Sequence, residues 1–214
     1  MHRQIIKAGK IIKLILPYAL GLLVWASILE EKTIVAQTPH HNAGSMPAPV
    51  RYTRTTAAYE PPDVTLVGMD DGQVKLRSVL NHEGPVILQF IFTSCTTVCP
   101  LMTATLSGTQ NKLGDDLKST RMISVSIDPE HDTPERLRNY AKTFKAGSRW
   151  SFLTGSIDDI TAVQKAFDVY RGDKMRHEPV TFLRATNGAS WVRLEGFMST
   201  AQLVEEYKRL TEAR

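Results

Sequence analysis

The only two cysteines of the chain directly follow an almost wholly apolar segment. Residues 85–92 read Pro-Val-Ile-Leu-Gln-Phe-Ile-Phe, and Cys95 and Cys99 come next, four positions apart. A short apolar run of this kind is typical of a strand that is covered on both faces. Apolar residues then recur at near-helical spacing over residues 98–113, which predicts a helix. The cysteines therefore mark the junction between a central strand and a helix.

The spacing of the cysteines suits several kinds of chemistry. Four residues make about one helical turn, so the two sulfurs can face the same way and either form a disulfide or hold one soft metal ion. Helix N–H groups at such a junction also stabilise a thiolate. Two buried hydrophobic side chains and a purely structural disulfide are the alternatives to a reactive pair. The Thr and Ser neighbours and the position at the junction favour the reactive pair.

Residues 1–36 are predicted to be a signal or anchor segment and not part of the fold. Four basic residues within the first 13 positions precede an uninterrupted apolar run at 14–29. That run is a little short of the roughly 20 residues that span a bilayer, and Ile34-Val35-Ala36 resembles a signal-peptidase site. The segment either stays as an N-terminal anchor, which its length favours, or is cleaved after Ala36. In both cases the rest of the chain is exported, to the bacterial periplasm or the outer face of the cytoplasmic membrane.

The remaining chain divides into two parts. Residues 37–58 are rich in Pro, Thr, His and Ala without apolar periodicity, and are predicted to form a flexible linker. Residues 59–214 are long enough to form a single domain with its own core. Since residues 1–36 hold five of the 26 basic and two of the 22 acidic residues, the rest carries a net charge of only +1. Such a nearly neutral domain gives no support for nucleic-acid binding.

The predicted elements of the domain follow the order β-β-β-α-β-α-β-α-β-β-α. The first two strands, at 64–67 and 74–76, form a hairpin. After the strand and helix around the cysteines, the further strands are at 122–127, 150–153, 180–183 and 191–194, and helices begin after the capping residues Thr133, Ser156 and Ser199. This order is typical of an α/β fold, a thioredoxin-like sandwich with an added N-terminal β-hairpin.

One histidine is placed where it could complete a metal site. His177 lies just before the strand predicted at 180–183, and in a thioredoxin-like sheet this loop lies opposite the N-terminus of the redox-active helix. Two thiolates and one imidazole suit a single copper ion, whereas structural zinc generally takes four protein ligands. Cys95, Cys99 and His177 are therefore the candidate copper ligands. The alternative is that His177 is an ordinary surface residue.

Three motifs together resemble the SCO/SenC family. They are Cys95-Thr96-Thr97-Val98-Cys99-Pro100, the run Asp128-Pro129-Glu130-His131-Asp132-Thr133-Pro134, and His177 downstream. The resemblance implies a membrane-tethered, thioredoxin-fold copper protein that helps to assemble the dinuclear copper centre of cytochrome c oxidase. The implied partners are the copper-bearing subunit of the oxidase or another copper chaperone, and the membrane through the N-terminal segment.

The chain departs from the family pattern between the cysteines. Thr96-Thr97-Val98 stand where the family commonly has Pro-Asp-Val, so a carboxylate near the metal is missing. A copper-binding assembly factor, which binds its metal without catalytic turnover, is the first interpretation. The alternative is a thiol-disulfide oxidoreductase in which Cys95 and Cys99 keep the cysteines of exported clients reduced. A scaffold with an inert disulfide is the third. His177 distinguishes the first two, because a reductase has little need of it.

Overall fold

The computed structural model describes residues 52–212, which lie within one compact unit. The strands are β1 (Thr53–Ala57), β2 (Thr65–Gly68), β3 (Gln73–Lys75), β4 (Val86–Ile91), β5 (Arg121–Ser126), β6 (Trp150–Thr154), β7 (Val180–Arg184) and β8 (Trp191–Glu195). The α-helices are α1 (Leu76–Leu80), α2 (Val98–Leu113), α3 (Pro134–Thr143), α4 (Ile157–Ala166) and α5 (Thr200–Glu212). One mixed sheet has the strand order β1-β8-β7-β4-β5-β6-β2-β3. The predicted α/β sandwich with an N-terminal hairpin is confirmed.

Strand β4 lies near the middle of the sheet and leads to the cysteines. All six of its residues are buried. It pairs in parallel with β5 and antiparallel with β7. The strand is paired on both edges, and its side chains are buried on both faces. Each side chain is therefore either apolar or hydrogen-bonded within the protein, and this is why the sequence shows no apolar-polar alternation. The strand predicted from residues 85–92 is confirmed, with one residue fewer at each end.

Helices lie on both faces of the sheet. Gln89 donates to Thr103 of α2 (Nε2 to Oγ1, 3.4 Å), and Thr103 in turn contacts Tyr140 of α3 (Oγ1 to Oη, 3.0 Å). The next residue of β4, Phe90, points to the opposite face. There it packs against Phe167, which directly follows α4, with ring centroids 5.8 Å apart. Helices α2 and α3 therefore lie on one face, and the end of α4 lies on the other.

The helix starts follow the capping residues in the sequence. The Thr133 hydroxyl accepts a hydrogen bond from the Arg136 N–H (3.3 Å), and Ser156 caps α4 in the same way. At α5, Ser199 and Gln202 exchange hydrogen bonds: the Gln202 N–H donates to the Ser199 hydroxyl (3.3 Å) and the Ser199 N–H donates to the Gln202 side chain (2.9 Å). This reciprocal pair is the predicted capping box.

One strand and one α-helix are missing from the sequence-based prediction. Strand β1 pairs antiparallel with β8 from Thr53↔Glu195 to Ala57↔Trp191, so the flexible linker predicted over residues 37–58 is wrong for these positions. Four of the five side chains of β1 are exposed, and such an edge strand shows no apolar alternation to recognise. The other element is the five-residue helix α1. Residues 1–51, which include the predicted anchor and positions 37–51 of the predicted linker, lie outside the described residues.

No helix within residues 52–212 is long and apolar enough to cross a membrane.

Candidate metal and thiol site

The two cysteines lie between the end of β4 and the first turn of α2. Cys95 is partly exposed, and its N–H donates to the carbonyl oxygen of Phe92 (3.2 Å). Cys99 is the second residue of α2 and is fully buried, with 0% of its surface exposed. Both are free thiols. The N–H of Cys99 points at the Cys95 sulfur at 3.4 Å. The predicted strand-to-helix junction is therefore confirmed, and its helix N-terminus is directed at Cys95.

The two thiols have very different acidities. Partial burial raises the pKa of Cys95, but hydrogen bonds from Cys99 and Thr97 together outweigh it and leave the pKa below its ordinary value of 9.0. Burial raises the pKa of Cys99 to about 12, and the nearby charges of Cys95 and Asp132 add to the rise. Cys95 is therefore the nucleophilic thiol, whereas Cys99 stays protonated at neutral pH unless a metal ion or an oxidant takes its proton.

This difference predicts the order in which the thiols react. Each unit of difference in pKa changes the thiolate fraction about tenfold. The thiolate of the more acidic thiol is intrinsically less nucleophilic, so the reaction rate changes only about threefold per unit. In the reduced protein at neutral pH, iodoacetamide is expected to label Cys95 at least about tenfold faster than Cys99. Peptide mass spectrometry over a time course measures both rates. Equal rates, or faster labelling of Cys99, would contradict the assigned roles.

A buried carboxylate fixes the segment that leads into the cysteines. Asp132 is fully buried and accepts hydrogen bonds from the Thr93 N–H (3.0 Å), the Thr93 hydroxyl (2.5 Å) and the Ser126 hydroxyl (2.6 Å). It thereby ties the end of β5 to the residues just after β4. The sequence-based reasoning did not assign this role to Asp132. The only signal for it was its place in the Asp-Thr-Pro motif beside the Thr133 cap.

His177 is held by the backbone of the cysteine-bearing strand. Its Nε2 lies 3.0 Å from the carbonyl oxygen of Phe90, one residue beyond the last paired position, Gln89↔Thr181. A carbonyl oxygen only accepts, so Nε2 carries the proton and Nδ1 keeps its lone pair. Burial lowers the pKa of His177 below its ordinary value of 6.5, although the bond to Phe90 partly opposes this. The imidazole is therefore neutral at neutral pH, which is the form that binds metals.

Two ion pairs restrain the loop that carries His177. Lys174 lies 2.6 Å from the buried Asp128 (Nζ to Oδ2) and also approaches the Phe92 ring, at 5.9 Å from its centroid. Arg171 lies 3.0 Å from Glu178, one residue beyond the histidine. The first pair connects the loop to the segment after β5, near the Asp132 network. The Lys174 pair and the hydrogen bond from His177 to Phe90 thus hold the loop close to the end of β4, whereas the Arg171 to Glu178 pair lies within the loop itself.

The predicted set of three ligands is not assembled in this structure. Within residues 52–212, no group of three or more His, Cys, Asp and Glu side chains is placed to hold a metal ion. The two cysteines are adjacent, but His177 is hydrogen-bonded through Nε2 to the Phe90 carbonyl oxygen and does not join them. The three side chains therefore lie around one end of β4 without forming a closed site, and ligation by all three stays a prediction.

Comparison with known proteins places this arrangement in a family. A sequence model described as SCO1/SenC matches residues 60–212. The chain belongs to the SCO1/SenC family. The matched residues include all three candidate ligands and nearly the whole described domain. The resemblance inferred from the cysteine and aspartate motifs is confirmed.

Individual members of the SCO1/SenC family agree with this assignment. An SCO1 protein homolog from Bacillus subtilis (strain 168) is 40% identical over 99 residues, which cover 45% of this chain and 50% of that relative, so the match spans half of the relative's length. The structure of BsSco, described as a member of the Sco family of cytochrome c oxidase assembly proteins with a disulfide switch, is 28% identical with a TM-score of 0.62, covering 76% of this chain and 99% of that one. Copper-bound Arabidopsis thaliana ScoI shares the fold at 23% identity and a TM-score of 0.61, covering 74% and 100%.

Proposed function

We propose that this SCO1/SenC protein is a copper-binding assembly factor that takes part in maturing the copper centre of cytochrome c oxidase. The observation that carries the proposal is the pair of free thiols at the start of α2, in which an acidified Cys95 receives the N–H of Cys99 at 3.4 Å. Two adjacent sulfurs of this kind are soft ligands that suit copper. A copper-bound structure of a protein with this fold, Arabidopsis thaliana ScoI, supports the choice of metal.

The donor atoms of this chain fit the proposed cargo. Cys95 and Cys99 would supply thiolates, and copper would displace the proton that Cys99 otherwise keeps. His177 would supply Nδ1, the ring nitrogen that the bond to Phe90 leaves free. The histidine joins the thiols only if its loop shifts, and the ion pair between the partly exposed Lys174 and the buried Asp128 is one of the contacts that oppose such a shift. Two thiolates alone are sufficient for Cu(I), and the imidazole adds a ligand that Cu(II) prefers.

The partner and the location belong to the same proposal. The copper is passed by ligand exchange to the copper-bearing subunit of the oxidase or to another copper chaperone, outside the cytoplasm. Residues 1–36 hold the protein at the membrane or are removed after Ala36. The basic start and the apolar run of the sequence support this location.

A thiol-disulfide oxidoreductase is the second candidate, and the difference between the two thiols favours it. An acidified, partly exposed Cys95 beside a buried Cys99 with a pKa of about 12 is suited to attack by the first thiol and resolution by the second. In that function the two cysteines lose two protons and two electrons to a client disulfide, which becomes a dithiol. The redox function makes no use of His177.

Replacing His177 with alanine separates the two functions. In reduced protein, His177→Ala is expected to weaken Cu(II) binding by at least the roughly 10- to 100-fold that accompanies loss of supporting groups around a metal. Cu(I) affinity is expected to fall less, because both thiolates remain. Disulfide reduction by Cys95 and Cys99 is expected to persist. Competition titrations against a chelator and electron paramagnetic resonance of the Cu(II) complex measure these effects.

His82 supplies a matched control for this variant. Its Nε2 also lies close to a backbone carbonyl oxygen, that of Ser119 at 2.8 Å, but it precedes β4, whereas both cysteines follow the other end of that strand. His82→Ala is therefore expected to leave the affinity and spectrum of the copper complex unchanged. If His177→Ala behaves like His82→Ala, the imidazole is not a ligand and the thiol-disulfide function becomes the better proposal.

A further inference from the structure

A polar pocket lies at the opposite end of the sheet from the cysteines. It has a volume of about 280 Å³ and is lined by Arg184, Trp191, Glu60 and Asn81 together with the turn between β7 and β8. Arg184 pairs with Val86, the first residue of β4, whereas the cysteines follow the last residue of that strand. The pocket is thus separate from the thiol site.

Among residues 52–212, Arg184 is a buried cation without a carboxylate partner. Only 4% of its surface is exposed. Its Nη2 donates to the carbonyl oxygen of Leu80, while its Nε is buried and has no hydrogen-bond partner among residues 52–212. None of the ion pairs found in that part of the chain includes Arg184. A buried charge of this kind is unfavourable unless an opposite charge compensates it. The pocket wall therefore offers an uncompensated positive charge to an anion.

The guanidinium group is held in a fixed position. Its central carbon lies 4.5 Å from the centroid of the Trp191 ring, in a cation-π contact. Trp191 is itself 1% exposed and packs edge-on against Phe167, with centroids 5.4 Å apart. The indole Nε1 of Trp191 also lacks a hydrogen-bond partner within residues 52–212. A rigid, planar donor group on an aromatic platform is well suited to recognise a planar anion.

We propose that this pocket binds a carboxylate group, with the Arg184 guanidinium as its cationic donor. The guanidinium fork matches the two oxygens of a carboxylate. The pocket wall carries one cation, Arg184, and one exposed carboxylate, Glu60. This balance of charge favours a singly charged anion over a doubly charged phosphate. Asn81 and Asn187 line the pocket as well and provide neutral donors.

The carboxylate could belong to a free small molecule or to the C-terminus of a peptide, and two probes distinguish these sources. Acetate represents the first source. Acetyl-glycyl-glycine represents the second source. The same peptide with an amide in place of its C-terminal carboxylate is the uncharged control. Both probes are titrated into the full chain in detergent solution against sodium chloride of equal ionic strength.

The chain contains its own reporter and its own control for this titration. Of its three tryptophans, Trp191 contacts Arg184 directly, whereas Trp150 donates its indole N–H to Ser124 (2.9 Å) on the face of the sheet covered by α2. Indole ¹⁵N–¹H spectra are therefore expected to show a saturable shift of the Trp191 signal with carboxylate and none of the Trp150 signal. An affinity for acetyl-glycyl-glycine well above that for acetate assigns the site to peptides, and equal affinities assign it to small carboxylates.

Two variants test the role of the charge. Arg184→Gln is expected to weaken carboxylate binding at least about tenfold, because a charge-assisted pair is lost. Glu60→Gln is expected to strengthen it, because a like charge is removed. The proposal is overturned if the Trp191 signal moves equally with chloride, or if Arg184→Gln retains the wild-type affinity. Should Arg184→Gln fail to fold, the wild-type comparison of Trp191 with Trp150 and the Glu60→Gln titration still decide the question.

Discussion

Oxidised protein, in which Cys95 and Cys99 form a disulfide, is expected to bind no copper at this site. Disulfide formation removes two protons and two electrons from the thiols, and the resulting sulfur atoms are no longer thiolate ligands. Both cysteines are free thiols in the structure, and the Cys99 N–H already lies 3.4 Å from the Cys95 sulfur. The same pair can therefore hold a metal ion or form a disulfide, but it cannot do both at once.

The experiment compares reduced and diamide-oxidised protein, each mixed anaerobically with one equivalent of Cu(I) and then desalted. Retained copper and free thiols are counted in both samples. Reduced protein is expected to retain one copper per chain, oxidised protein none, and oxidised protein that is reduced again should regain the metal. Undiminished copper in protein that has lost both thiols would show that the cysteines are not the ligands.

The sequence predicts the elements around the cysteines well because their signals are local. The apolar run of β4 and the helical spacing of α2 each depend on neighbouring residues alone. The start of α3 likewise follows from Thr133 and Pro134, since a capping hydroxyl and a proline at the first helical position act within a few residues. Those positions are confirmed to within a residue or two.

The rest could not be predicted because it depends on partners that are distant in the chain. The polar strand β1 exists only because β8 offers an edge to pair with. The ring of His177 is bound by the Phe90 carbonyl oxygen, and a backbone acceptor leaves no trace in the sequence. The sequence therefore identifies His177 as a candidate ligand. It does not predict that the ring is hydrogen-bonded to Phe90 instead of lying against the two thiols. The raised pKa of Cys99 follows mainly from burial, which is a property of the packed domain.

Asp132 shows how one distant contact connects stability with the thiol site, and its replacement is expected to have the largest effect on folding. Asp132→Ala leaves the Thr93 N–H and the hydroxyls of Thr93 and Ser126 without their buried acceptor. Since each unsatisfied buried group costs roughly 1–3 kcal/mol and some of them will find other partners, we expect the free energy of unfolding to fall by about 3 kcal/mol. Guanidinium chloride titration of the reduced protein measures this change.

An exposed aspartate provides the control. The side chain of Asp115 is 92% exposed and pairs with the exposed Lys118, at 2.7 Å. Asp115→Ala is expected to change the free energy of unfolding by no more than about 0.5 kcal/mol. If the two variants are equally stable, the hydrogen bonds of Asp132 do not contribute as the geometry indicates.

The conservative variant Asp132→Asn separates charge from shape at the thiol site. The negative charge of Asp132 adds to the burial that raises the pKa of Cys99. A neutral amide removes that repulsion and favours the thiolate, so the pKa of Cys99 is expected to fall below its wild-type value. The pH profile of Cys99 alkylation, measured in protein whose Cys95 is already blocked by alkylation, detects this change. Because a purely structural effect would alter stability without moving that profile towards lower pH, an unchanged profile would confine Asp132 to a structural role.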